Sequence, residues 1–270
     1  RMPEDIRALF RPQREWGEGR GLLLIIAWFF SSLAAGAWIF STGPLFDVHQ
    51  GLPVALAILL VGSGGFHLAF LGRPERFWRM AFRPQTSWIT RGLLGIAVMT
   101  PPGLLYLLPA YFPALPWSLD DAFGQAMLVL SLLAAFLVTM YKGFVLGFAK
   151  GIPFWNSPLM PPLFVANALR GGLALLLIMA AVVGEFEGFQ TAEATKLWVV
   201  VSTAVLVLFY IWVMTQGELA ARRSVWDLLL GRVALPFYLG AVTIGFLVPL
   251  MGGSLAFFTQ LPRGAVGVIG

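Results

Sequence analysis

The chain has 270 residues, of which 59% are hydrophobic and 11% charged, with a mean hydropathy of +0.83. Soluble domains carry about 25% charged residues, so this composition excludes a water-soluble globule and points to a chain that lives in lipid. The 18 Lys and Arg outnumber the 13 Asp and Glu, and there is no cysteine; disulfides, thiolate-held iron–sulfur clusters and the usual structural zinc sites are thereby excluded.

A membrane-crossing helix needs about 20 predominantly apolar residues, and the sequence offers a series of such runs joined by short polar stretches. The short alternating segments of a membrane barrel are absent. The predicted fold is all-α, a polytopic helical bundle in the membrane, with a charged leader over residues 1–20 and a transmembrane domain over 21–270.

The leader carries Arg7, Arg11, Arg14 and Arg20, and no cleavable signal is visible in it. The first span runs from about Gly21 to Phe40 and includes the small-residue patch Ser31-Ser32-Leu33-Ala34-Ala35-Gly36. Small residues let helices approach closely in lipid, so this face is expected to pack tightly or line a narrow crevice. The second span covers about Leu52 to Leu71, the third Ser87 to Leu108, the fourth Ala122 to Phe144, the fifth Pro161 to Val183, the sixth Lys196 to Gln216 and the seventh Val233 to Met251. Pro101-Pro102 is expected to break the third span by freeing backbone carbonyls. The stretch from Gly264 to Gly270 reads as the start of an eighth span.

Lys and Arg collect on one side of this topology. The leader and the joints after spans two, four and six, with their flanking turns, hold sixteen of the eighteen; only Lys196 and Arg263 fall on the other side, among Asp47, Asp120, Asp121, Glu185, Glu187 and Glu193. The positive-inside rule then places the N-terminus in the cytoplasm.

Two of the basic-side segments are rich in chemistry. Phe66 to Gly92 packs five arginines, two tryptophans, a histidine, a serine and two threonines between apolar runs, and Tyr141 to Pro162 echoes it. Each has a Gly-x-Pro followed closely by Phe-Trp, and each leads into a span with an Arg-Gly pair about one turn inside it, Arg91-Gly92 and Arg170-Gly171. Unpaired charge at that depth is costly and marks a functional candidate.

A bis-histidine haem requires two imidazoles at one depth. The two histidines, His49 and His67, lie on opposite sides of a hydrocarbon core about 30 Å thick, so the sequence has no obvious built-in redox centre. A quinone site fits what is present: an apolar slot walled by Trp78, Trp88 and Trp155, with donors from His67, Tyr141, Asn156, Ser87 and Arg91. Histidine also relays protons near neutral pH. Blander readings exist for each. Interfacial tryptophans anchor helices, Arg79 and Arg83 suit lipid headgroups, His67 can bond a neighbouring carbonyl, and Asn156 and Ser157 can cap the fifth span. A transporter or proton channel with no redox role, its path lined by Arg91, Arg170 and His67, is the alternative from another class; the near absence of carboxylates from the spans argues against it.

The stretches SLAAGAW, LGRPERFWRM, TSWITRG and PFWNSPLMPPLF, in that order, resemble the NrfD-type family, the membrane subunits of polysulfide reductase and related molybdenum-enzyme complexes. The resemblance covers most of the chain. It implies eight helices in two four-helix bundles, a quinone/quinol-reactive anchor with no haem or iron–sulfur cluster of its own, and two partners: a four-cluster ferredoxin-like iron–sulfur subunit and a molybdopterin catalytic subunit. The quinone-pocket residues it implies are His67, Arg73, Arg76, Ser87, Trp88, Arg91, Tyr141, Trp155 and Asn156. Where many members have an acidic residue or histidine just before the LGRP-like motif, this sequence has Phe70, with His67 one turn earlier. Many members also dock their partners outside the cell, whereas the charge count here places the docking motifs inside a bacterial or archaeal inner membrane. A cytoplasmic catalytic module follows, suited to a substrate such as sulfite or a CoA thioester.

Overall fold

The computed structural model describes residues 14–43, 48–183 and 189–252; most of the leader, and the stretch expected to begin an eighth span, lie outside them. Among the described residues, seven helices are long and apolar enough to cross a membrane: Arg20–Ser41, Gly51–Phe70, Trp88–Tyr111, Ala122–Gly147, Met160–Val182, Thr191–Thr215 and Ala234–Gly252. They match the seven complete spans read from the sequence to within a few residues. The side carrying the joints after spans two, four and six is called the basic side below.

The first four spans pack in a ring, each touching its sequence neighbour and the fourth closing on the first; the fifth lies against the first and fourth, and the sixth against the fifth. Small residues set this arrangement. A Cβ on Gly36 would fall on the backbone carbonyl of Ala168, and one on Gly172 would fall on the Gly36–Ala37 peptide, so the first and fifth spans cross backbone to backbone. The expectation of tight packing at the small-residue patch is met, and the reason is that lipid offers helices no hydrophobic drive to associate, leaving close van der Waals approach to hold them. In the same way Gly92 sits against the ring of Tyr141, Gly103 against the indole of Trp38, and Gly143 against the Met160–Pro161 backbone. Trp38 is fully buried and its indole N–H donates to Ser131 Oγ at 3.0 Å, so its polar atom is satisfied in the core.

Helix starts follow local chemistry. Ser87 caps the third span by accepting the Thr90 N–H. Asp121 caps the fourth, accepting from the N–H groups of Gly124 and Ser118, each at 2.7 Å. The third span differs from expectation: the helix continues unbroken through Pro101, Pro102 and Pro109. Each proline removes one donor and leaves the carbonyl four residues earlier without its helical partner, but the turns on either side keep theirs, and one such loss is tolerated within a packed bundle.

Two of the spans carry π-helical stretches, Ile58–Gly64 in the second and Phe237–Leu247 in the seventh. The seventh is the least embedded, with 6% of its apolar window buried. A mid-span contact ties it to the fifth: Arg170 Nη1 donates to the carbonyl of Gly245 at 2.8 Å, inside the π stretch, with the guanidinium over the ring of Phe246. Widened turns displace carbonyls from the regular ladder, which offers the guanidinium an acceptor in the membrane.

Candidate functional site

The residues singled out in the sequence fall in separate places. Arg73 and Arg76 lie at the start of an exposed 3-10 segment, Pro74–Phe82, on the basic side; none of its residues is buried, and Phe77, Trp78 and Phe82 face outward with the arginines. Thr90 ties that segment to the third span, and Ser87, Trp88 and Arg91 fix the turn that joins the two. Arg91 Nε donates to the carbonyl of Pro84 at 2.7 Å and Nη2 to that of Gln85 at 2.9 Å, while its guanidinium covers the Trp88 ring at 4.2 Å. Trp88 in turn stacks on Phe144, and Thr90 Oγ1 donates to the carbonyl of Met80. The charge that looked costly in the sequence is neutralised in part by carbonyl dipoles at the rim.

His67 and Tyr141 come together inside the first bundle, with three residues that sequence reasoning did not place there: Ser31, Ser63 and Lys142. His67 Nδ1 lies 2.8 Å from the carbonyl of Ser63 and 3.1 Å from its hydroxyl. A carbonyl only accepts, so Nδ1 carries a ring proton and Nε2 is the nitrogen free to exchange one. Lys142 is fully buried, and its Nζ donates to Ser31 Oγ at 3.0 Å. The Ser31 hydroxyl in turn donates to the carbonyl of Trp28. In the sequence Lys142 counts among the basic-side charges, and no local pattern signals its burial.

Trp155 lies elsewhere. It walls a cavity of about 620 Å³ between the first, fifth and sixth spans, whose other walls include Trp28, Phe164 and Tyr210. Trp16, just before the first span, closes the basic end of this cavity, its ring 5.2 Å from that of Trp155 and 6.0 Å from that of Trp28. Phe29 and Ile25, on the rim, are exposed, so the cavity opens on the lipid-facing surface. Its polar groups are few. Arg170 Nη2 donates to Asn167 Oδ1 at 3.0 Å, Asn167 Nδ2 donates to the carbonyl of Leu163, and the Tyr210 hydroxyl donates to the carbonyl of Phe154. Arg170 was legible as an inward charge; Asn167, Trp16 and Trp28 were not singled out, though Trp28 stands one turn before the small-residue patch.

Asn156 is exposed and lines a separate, shallow pocket with Lys150 and Glu218. Ser157 Oγ accepts from the Leu159 N–H in the turn just ahead of the fifth span, which begins at Met160. Among the described residues one carboxylate is buried, Glu193, paired with the equally buried Lys196 at 2.8 Å at the acidic end of the sixth span. No group of three or more potential metal ligands occurs among the described residues.

Fold and cavity define a polytopic helical membrane protein with a tryptophan-walled, lipid-facing cavity. The pattern of the family described as "Polysulphide reductase, NrfD" matches residues 18–264, and the chain belongs to that family. It is 26% identical over 215 residues to a polysulfide reductase chain of Wolinella succinogenes, the match covering 73% of this sequence and 68% of that protein. It is 27% identical over 223 residues to protein NrfD of Escherichia coli, covering 72% and 70%. To a sulfite dehydrogenase subunit of Allochromatium vinosum it is 27% identical over 188 residues, covering 61% of this sequence and 54% of that one.

Proposed function

We propose that this chain is the quinone-reactive membrane subunit of a multi-subunit oxidoreductase, passing electrons between the quinone pool and an iron–sulfur partner that connects to a molybdopterin subunit. The observation that carries this reading is the cavity beside Trp155. At about 620 Å³ it falls in the size range of small-molecule sites, it opens toward lipid, and its donors are sparse. A quinone is a flat apolar ring with two carbonyl acceptors and an apolar tail. Indoles of Trp28 and Trp155 suit the ring faces. Arg170 engages one N–H each of Nη1 and Nη2 in the bonds described above, which leaves further N–H groups of its planar fork for a carbonyl oxygen. When bound, the quinone supplies two-electron, two-proton chemistry; the protein contributes an anhydrous slot, a fixed cation and orientation.

The same reading gives the exposed segment Pro74–Phe82 to the partner. Its arginines and outward aromatic rings form a surface suited to an acidic protein face, with Thr90 tying the segment to the third span and Arg91 fixing the turn beside it. With the N-terminus in the cytoplasm, the catalytic module is cytoplasmic.

The test is purification in mild detergent with identification of co-purifying subunits and extractable quinone, together with quinone-linked turnover of Arg170→Met and Trp155→Ala. An iron–sulfur and a molybdopterin protein in the preparation, with bound quinone and turnover both reduced in the variants, support the reading. A lone membrane protein without quinone sinks it and moves the transporter reading to first place.

A further inference from the structure

Lys142 and Lys196 are both fully buried in the bundle, and they are held in different ways. Lys196 has Glu193 Oε2 at 2.8 Å and Oε1 at 3.1 Å, a fixed ion pair. Lys142 has no carboxylate partner among the described residues. Its Nζ reaches Ser31 Oγ, and the Tyr141 ring lies 5.2 Å away. As an ammonium it has three N–H donors and this one hydrogen bond; as an amine it presents a lone pair, while the Ser31 proton is already committed to the Trp28 carbonyl. Neither protonation state is fully satisfied, and a group so placed has little to bind it to either.

The titratable groups facing it are few. The second span brings His67, within electrostatic reach of Lys142, and its own helix brings Tyr141, whose phenol meets Ser31. The first span contributes Ser31 and the third the glycine backbone under Tyr141, while Arg91 is tied to the Pro84 and Gln85 carbonyls at the rim. Only one helix separates this cluster from the cavity. Ser31 holds Lys142 while its neighbour Ser32 lines the cavity; Trp28 offers its carbonyl to Ser31 and lines the cavity too; Leu146, one turn beyond Lys142, is in the cavity wall.

We propose that Lys142 is an internal proton-exchange site, alternating between ammonium and amine in step with chemistry in the adjacent cavity. One N–H bond forms at Nζ as an Nε2–H bond of His67, protonated from the basic side, breaks; on discharge the Nζ–H bond breaks and the proton returns to His67 Nε2 and so to the basic side. Negative charge developing in the cavity favours the ammonium, and its discharge favours the amine. This role rests on the quinone reading only for the identity of the ligand. Lys142 acts across the helix wall and is a positioning residue, not one in contact with the ligand.

The sequence has three lysines, Lys142, Lys150 and Lys196, so side-chain nitrogen NMR of the full-length protein in detergent, with lysine labelled at the side-chain nitrogen, resolves the question directly. Lys150→Arg and Lys142→Met assign the signals. The expected result is a Lys142 signal that passes from ammonium to amine within the pH range where the fold persists, while Lys196 stays an ammonium. A Lys142 signal fixed in one form throughout overturns the proposal, even if Lys142→Met fails to fold. In the purified complex, Lys142→Met is expected to lower quinone-linked turnover and to flatten its pH profile with bound quinone unchanged. Lys142→Arg, which cannot deprotonate, is expected to fail likewise; rescue by arginine would mean a fixed charge and overturn the exchange role. If the wild-type complex shows no quinone-linked turnover, the quinone reading fails and the NMR result alone decides Lys142.

Discussion

Asp121 shows how much a single side chain settles at the acidic end of the fourth span. Its carboxylate accepts from the N–H groups of Gly124 and then Ser118, and these bonds hold its pKa below the ordinary carboxylate value. A carboxyl with a lowered folded pKa contributes stability above its unfolded value and loses it as pH falls through the folded one. Asp121→Ala is therefore expected to melt earlier than wild type near neutral pH, with the gap narrowing in acid, as followed by thermal unfolding in detergent. Among the basic residues, the sequence marks Arg91 and Arg170 as charges too deep to ignore, and both turn out to bond backbone carbonyls, Arg91 at a loop rim and Arg170 in a π-helical turn. The same reading passes over Lys142. A lysine five residues from the end of a span reads as a topology signal, because one-dimensional depth does not say which face of the helix it occupies.

Among elements, the crossing of the first and fifth spans carries the most weight. Gly172 and Gly36 meet without room for a Cβ on either, whereas a Cβ on Gly65 meets nothing within 4 Å. Gly172→Ala must push two backbones apart and is expected to cost about 2–4 kcal/mol, in the upper range for overpacking; Gly65→Ala is expected to be neutral or slightly stabilising. Melting temperatures of the two variants in one detergent check this, and equal losses would mean the crossing is slack. The small-residue patch made this contact legible in advance, since close approach needs small side chains on both helices. The cavity was not legible. It arises where the fifth span, drawn onto the first at Gly36, leaves the side chains around Trp28 and Trp155 with no neighbour among the described residues filling the space between them, and no local pattern encodes a gap among three helices. The unbroken helix through Pro101-Pro102 has the same origin: sequence records the lost donors, while tertiary packing decides whether the helix bends.

For the whole molecule, membership of the NrfD family and the seven apolar helices agree with what composition and motif order foretold. Orientation rests on the charge asymmetry between the two sides. Because the sequence has no cysteine, single-cysteine variants report sidedness without background. Lys150→Cys is expected to react with a membrane-impermeant thiol reagent only in inverted vesicles, and Asp120→Cys only in intact cells; the reverse pattern would place the docking segment on the outer face and the catalytic partner with it. The site-level expectation divides across this architecture. The residues resembling the family's quinone set spread from the exposed Arg73 to the cavity-lining Trp155, because motif order along the sequence does not separate residues that hold a surface segment from residues that wall a slot.

The most direct measurement is photolabelling of the purified complex with a photoreactive quinone analogue, with native quinone as competitor. Competable label is expected on peptides of the first and fifth spans around Trp28 and Arg170, lost in Arg170→Met. Label that competes but falls only on other segments, or no competable label at all, would contradict it.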